Sequence, residues 1–148
     1  MLENKYAPIV ITTFRRLDLL KDLINSLKEN KECTNSDLYI FSDNYQFLKD
    51  KKLIQLVREY IDSLDGFKSI KVIKRSTNFT MSINIVDAIN YVFSIHDSLI
   101  FLEEDTLVSK NFLEYMNKAL KYYYNNKTVM HVSGYKYPFE DVEMKKNY

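Results

Sequence analysis

The sequence predicts an α/β fold: a mainly parallel sheet with helices on its faces, three layers in all. Three observations predict it. Short apolar runs rich in β-branched residues recur along the chain, a stretch with helical apolar spacing follows each, and the connections between them are short. Such alternation builds βαβ units, which close with right-handed crossovers onto a parallel sheet. A length of 148 residues suits one domain with a core of its own, so residues 1–148 are read as a single unit.

The elements follow in order. "APIVITTF" (7–14) is apolar and rich in β-branched residues, as a strand covered on both faces should be. In "RLDLLKDLINSLKEN" (16–30), Leu20, Leu23, Ile24 and Leu27 recur at helical spacing with charges between them. "DLYIFSD" (37–43) reads as a second strand. "KKLIQLVREYIDSL" (51–64) reads as a second helix with Leu53, Leu56, Val57, Tyr60 and Ile61 on one face. Gly66 lies just beyond it, where a left-handed residue is common. "SIKVIKR" (69–75) is a third strand. "TMSINIVDAINYVFSI" (80–95) is a third helix, with Ile85, Val86, Ile89, Val92 and Phe93 expected inside. "SLIFLE" (98–103) is a fourth strand. Ser109 is placed to cap a fourth helix over 110–126, and "TVMHVSG" (128–134) reads as a fifth strand. The whole is a Rossmann-like arrangement without repeats or linkers.

In open α/β sheets, ligands bind beyond the carboxyl ends of the strands. Those ends carry Thr12, Thr13, Phe14, Arg15 and Arg16; Ser42, Asp43 and Asn44; Arg75, Ser76, Thr77 and Asn78; Glu103, Glu104 and Asp105; and Ser133, Gly134 and Tyr135. The three consecutive acids repel one another, so they need a counter-charge.

Several function classes are excluded or disfavoured. A formal net charge of +1 lacks the basic face of a nucleic-acid binder. One cysteine, Cys33, allows no internal disulfide and suits a reducing compartment. No apolar run reaches the ~20 residues of a membrane span, and the first residues are not a signal peptide. The chain is expected in the cytoplasm, with a position against the inner face of the plasma membrane left open. Neither Gly-x-Gly-x-x-Gly nor Gly-x-x-x-x-Gly-Lys-Ser/Thr occurs, and with two glycines in all the backbone is poorly suited to cradle phosphate. A hard cation held by carboxylates can do that work instead, bridging phosphate oxygens and supplying the triplet's counter-charge.

"PIVITTFRR", "LYIFSDN", "NFTMSINIVDAINYVF", "LIFLEEDTLVSKNFLEYM" and "HVSGYKYP", in that order, resemble the first half of a glycosyltransferase with the GT-A fold, of the broad family 2 type. The triplet resembles that family's Asp-x-Asp element. Glu104 stands at the middle position, where Asp is more usual. Phe79 follows "STN", a segment in which the family often carries Gly.

The resemblance implies a nucleotide-diphosphate sugar donor, such as a UDP-sugar, bound through Mn2+ or Mg2+. It implies transfer with inversion to a hydroxyl of a glycan or lipid-linked acceptor, as in polysaccharide biosynthesis. By the same resemblance Asp105 is the direct metal ligand, Glu104 approaches the ribose or the metal through water, and Glu103 faces the sugar. Asp43 and Thr12 hold the base, and Arg15 helps neutralise phosphate. Asn78 belongs to the same site, although a turn residue is its plainer reading. The acceptor half and general base are expected outside this chain, which reads as a nucleotide-binding half truncated at its C-terminus. The surface around Tyr135, Tyr137 and Phe139 is expected to favour self-association.

Plainer readings stand beside these. The triplet can be a solvated loop before a helix, and Asp43 a cap. Arg15 and Arg16 begin a helix, where cations are unfavourable, so phosphate or an acid is expected to hold one of them. His131 reads as a core group, His96 as a helix end and Cys33 as a loop residue. Tyr122, Tyr123 and Tyr124 read as packing residues rather than a sugar platform. Two other function classes remain open. A nucleotidyltransferase normally has a glycine-rich loop after the first strand, which "TTFRRLD" lacks. A non-catalytic α/β module or scaffold is the other.

Overall fold

A computed structural model describes residues 6–135. Its four strands are β1 (Ile9–Thr13), β2 (Asp37–Ser42), β3 (Ser69–Lys74) and β4 (Ile100–Glu103). They form one sheet in the order β3-β2-β1-β4, and every pairing is parallel. Between and after them lie α1 (Leu17–Lys28), α2 (Lys51–Asp62), α3 (Thr80–Phe93) and α4 (Phe112–Tyr123). The expected elements occur up to α4, with ends that coincide with the expected ones or fall one to three residues short.

The sheet separates two apolar layers. On one face Ile9 and Ile11 of β1, Leu38 and Ile40 of β2, and Ile100 and Leu102 of β4 pack with Leu20, Leu23, Ile24 and Leu27 of α1. Val57 and Ile61 of α2 and Leu113 of α4 complete that layer. On the other face Val10, Tyr39 and Phe41 meet Ala88 and Val92 of α3. β1 is buried along its whole length, which explains its run of β-branched residues and the apolar Ile9, Val10 and Ile11.

Six expectations need correction. In α2 the buried stripe is Ile54, Val57 and Ile61, while Leu53 and Leu56 are exposed. In α3 it is Asn84, Ala88 and Val92, while Val86 and Phe93 are more than half exposed. That helix is apolar around most of its circumference, so composition does not reveal its buried face. Asn111, not Ser109, is the residue before α4; Ser109 contributes only its carbonyl, which accepts from Phe112 N. Residues 128–134 form no strand, because nothing in the described sheet pairs with them, and His131 among them is exposed rather than part of the core. Cys33 is buried at 2% exposure in a one-turn 3-10 helix, Cys33–Asn35, not in an open loop.

Gly66 has a φ of +83°, as its position after α2 suggested. Tyr122, Tyr123 and Tyr124 lie at the surface. Among the described residues no helix is long and apolar enough to cross a membrane. Tyr137 and Phe139 lie outside the described residues, and Tyr135 is exposed.

Candidate functional site

The strand order places the site. β3, β2 and β1 are laid down in one direction, and the α3 crossover then carries the chain past β1 to β4 on its other side. The direction of winding reverses between β1 and β4, so a crevice opens beyond their carboxyl ends. Thr12 is the register partner of Glu103 there, and the triplet lies directly against the end of β1.

The triplet is divided by burial. Glu104 turns inward and is 3% exposed. Its Oε2 accepts from the Thr13 hydroxyl and from Phe14 N at 2.8 Å, and its Oε1 accepts from Arg16 Nε at 2.6 Å. Three donors from the end of β1 thus hold one carboxylate at the end of β4. Glu103 and Asp105 face outward; Asp105 Oδ2 accepts from Arg16 Nη1 at 2.9 Å, and its side chain is 46% exposed. Arg16 therefore supplies the counter-charge within the fold. The bond to Glu104, together with the charges of Glu104 and Asp105, raises the Arg16 pKa above its ordinary value against the effect of burial. Thr12, beside Glu103, is buried at the mouth of the crevice.

Arg15 points elsewhere. Its guanidinium pairs with Asp50, at the start of α2, whose side chain is 6% exposed. Of the two holders expected for a cation at this helix start, an acid is the one found.

Asp43 is the centre of a second cluster, beyond β2 and β3. It is 4% exposed, its own N–H bonds Thr13 O at 2.9 Å, and its carboxylate gathers the neighbouring loop. Oδ1 accepts from Asn44 N and Phe79 N, both at 2.8 Å, and Oδ2 accepts from Asn78 Nδ2 at 3.3 Å. Asn78 Nδ2 also donates to Asn44 O at 2.6 Å, and Asn44 Nδ2 to Ser76 O at 2.5 Å. Asn78 is thus a turn residue that ties the two loops together.

Two arginines brace the site: Arg75, at the end of β3, and Arg58, which the sequence reading does not name. Arg58 of α2 donates to Arg75 O at 2.7 Å and to Asp43 O at 3.3 Å. Arg75 donates to Asn84 Oδ1 at 2.9 Å and Asp87 Oδ2 at 2.5 Å, and its guanidinium lies 4.5 Å from the Phe79 ring centroid. The signal for both was weak but present. Arg58 adjoins Val57 on the buried side of α2, and Asn84 is a polar residue four positions before Ala88 in the stripe of α3.

A cavity of about 630 Å³ lies at the opposite, amino-terminal end of β1 and β4, lined by Ala7, Pro8, Leu99, Asn117 and Tyr123 among others. None of the predicted site residues lines it. The convergence of charge at the carboxyl ends, not cavity size, marks the candidate site.

A metal fits these residues in one way. Among the described residues no group of three or more His, Cys, Asp or Glu could cage an ion. Magnesium, however, commonly binds through one or two carboxylates together with substrate phosphates. Asp105, with an outward and half-exposed carboxylate, meets that requirement; Glu104, with both oxygens engaged in the fold, does not.

The sequence model of glycosyl transferase family 2 matches residues 9–148. No curated protein matches the chain. Among the solved structures that resemble it in fold are two of S. aureus TarS. The crystal structure of S. aureus TarS residues 1–349 superposes with a TM-score of 0.56 at 17% identity, covering 79% of this chain and 32% of that one. A crystal structure of S. aureus TarS gives 0.56 at 16% identity, covering 79% of this chain and 20% of that one. The chain therefore spans about a third or less of the length of these relatives in fold.

Proposed function

The chain belongs to glycosyl transferase family 2, and on that premise we propose that it is the donor-binding part of a glycosyltransferase. Its donor would be a nucleotide-diphosphate sugar, of the UDP type, held at the carboxyl ends of β1, β2 and β4. One observation carries this reading: the triplet is docked against β1 so that Glu104 is spent on the fold while Glu103 and Asp105 stay outward at the switch point. A surface loop placed only to solvate a helix start would not require a buried acid with three donors from another strand.

When bound, Mn2+ or Mg2+ would neutralise the diphosphate and stabilise it as it departs. Asp105 is the residue to hold it, and Glu103 the one to face the sugar. Thr12 and the Asp43 loop would border the base. Asp43 has an oxygen, Oδ2, whose one bond to Asn78 is long at 3.3 Å, leaving it able to accept another donor. The acceptor, a glycan or lipid-linked hydroxyl, and the base that deprotonates it are assigned to parts of a whole enzyme beyond the third that this chain spans. A cytoplasmic location, with or without contact to a membrane, accords with this role. Membership of the family favours sugar transfer over nucleotidyl transfer or a scaffold role.

Calorimetric titration with uridine diphosphate tests the reading. Binding is expected with Mn2+ present and lost with a chelator. Asp105→Asn should weaken it more than Glu103→Gln, because a direct ligand must offset the cation's charge, whereas a sugar contact needs only an acceptor. Equal affinity with and without chelator would overturn the metal assignment, and equal losses in the two variants would remove the division of roles.

A further inference from the structure

The same guanidinium serves two acids at the junction of β1 and β4, and its two contacts differ in kind. Arg16 Nε reaches Glu104, whose side chain is 4% exposed and already holds Thr13 and Phe14. Arg16 Nη1 reaches Asp105, whose side chain is 46% exposed, with no other hydrogen bond to its carboxylate among the described residues. Removing the partner of a buried charge is strongly destabilising, whereas an exposed ion pair contributes little. The guanidinium is therefore anchored on one side and exchangeable on the other.

We propose that Arg16 is the built-in counter-cation of the acid triplet, occupying Asp105 until a divalent ion replaces it. This rests on the reading of Asp105 as the metal ligand. Arg16 and a divalent ion would compete for the Asp105 carboxylate; with the ion bound, Nη1 would be free, while the Nε bond to Glu104 would keep the side chain at the junction. No covalent bond changes, and one cation is exchanged for another. The released edge of the guanidinium then carries free N–H donors beside the place assigned to the diphosphate, and a planar fork of donors suits phosphate oxygens. Arg16 would thus keep Glu104 and Asp105 together without the metal and turn to the donor's phosphates with it. Arg15, held by the nearly buried Asp50, has no such freedom.

The test uses Mn2+ itself, read by the electron paramagnetic resonance signal of the free ion, so that no turnover is needed. Arg16→Gln leaves Glu104 buried without its cation and can fail to fold. The double variant Arg16→Gln/Glu104→Gln removes both charges and keeps an oxygen for Thr13 and Phe14. Lys21→Gln, on α1, is the control for loss of one positive charge elsewhere. The double variant should bind Mn2+ about two- to fivefold more tightly than the unmodified chain: the guanidinium and the Glu104 carboxylate leave as a neutral pair, so the gain comes from Asp105 losing an exposed ion-pair partner. Lys21→Gln should change affinity less than twofold, and adding Asp105→Asn to the double variant should abolish the gain. Unchanged or weaker Mn2+ binding in the double variant, with Asp105-dependent binding intact in the unmodified chain, would overturn the competition and leave the metal reading standing. Absence of Mn2+ binding in every variant, with and without uridine diphosphate, would overturn both.

Discussion

At the residue scale, the site is built from side chains whose first duty is to the backbone. Asp43 was legible as an acid at a strand end, but its bonds to Asn78 and Phe79 were not, because they join residues 35 and 36 positions apart. Asp43→Ala would leave Phe79 N and Asn44 N without an acceptor in a nearly buried place, at a cost of roughly 3 kcal/mol. Asp43→Asn keeps an acceptor for both and should cost less than half of that. Urea midpoints of the two variants check this, and equal losses would show that charge, not acceptance, matters there. Thr80, which the sequence reading puts at the start of α3, has a backbone conformation the sequence does not show. It has a φ of +64°, held in part by its own N–H, which donates to Asn78 Oδ1 at 3.1 Å. A β-branched side chain is strained in that region by roughly 1–3 kcal/mol, and glycine is not. Glycine also loses more backbone freedom on folding, by roughly 0.5–1 kcal/mol. Thr80→Gly should therefore stabilise the protein by about 1 kcal/mol, and a loss of stability on denaturant unfolding would contradict the strain.

At the element scale, periodicity located the four α-helices α1 to α4 and misjudged two of their faces. α1 was read correctly because charged residues separate its apolar ones, so only one face can be buried. α3 has Ile83, Ile85, Val86, Ile89, Val92 and Phe93 spread around it, and tertiary packing chose the side with Ala88. The small residue lets the helix approach Val10 and Phe41, and Asn84 at the same face donates to Phe41 O at 3.3 Å and accepts from Arg75. Ala88→Leu should therefore destabilise the protein by roughly 1–3 kcal/mol through overpacking. Val86→Lys, at a position expected from the sequence to be inside, should fall within about 0.5 kcal/mol of the parent. Thermal unfolding of the pair distinguishes the two faces, and the opposite ranking would restore the sequence reading. The fifth strand shows the complementary error. Its β-branched composition states a preference, but a strand exists only where a neighbour accepts its hydrogen bonds.

At the scale of the whole molecule, the alternation of elements disclosed the class of fold but not the order of its strands. The site depends on that order, since the triplet and Arg16 meet only because β4 lies beside β1. Cys33 offers a global measurement that does not depend on the site. It sits within the larger core layer, and its Sγ donates to Gly66 O at 3.4 Å. Burial pushes its thiol pKa from 9.0 up to about 11, although the nearby Lys28 charge opposes the shift. A raised folded-state value means that the folded chain keeps the proton more tightly than the unfolded one. Below pH 9 both states are protonated, so this contribution to stability is complete there. As pH rises from 9 towards 11, the unfolded thiol ionises first, and the contribution is progressively lost. Tyr60 and the lysines also titrate in alkali, so the useful quantity is the difference between the chain and Cys33→Ala. The variant loses some packing at neutral pH, and its deficit should shrink steadily between pH 9 and pH 11. Urea midpoints at four or five pH values across that window measure it. A deficit that stays constant with pH would mean that Cys33 ionises as readily in the folded chain as in the unfolded one, and that the turn around Glu32–Ser36 is open to water.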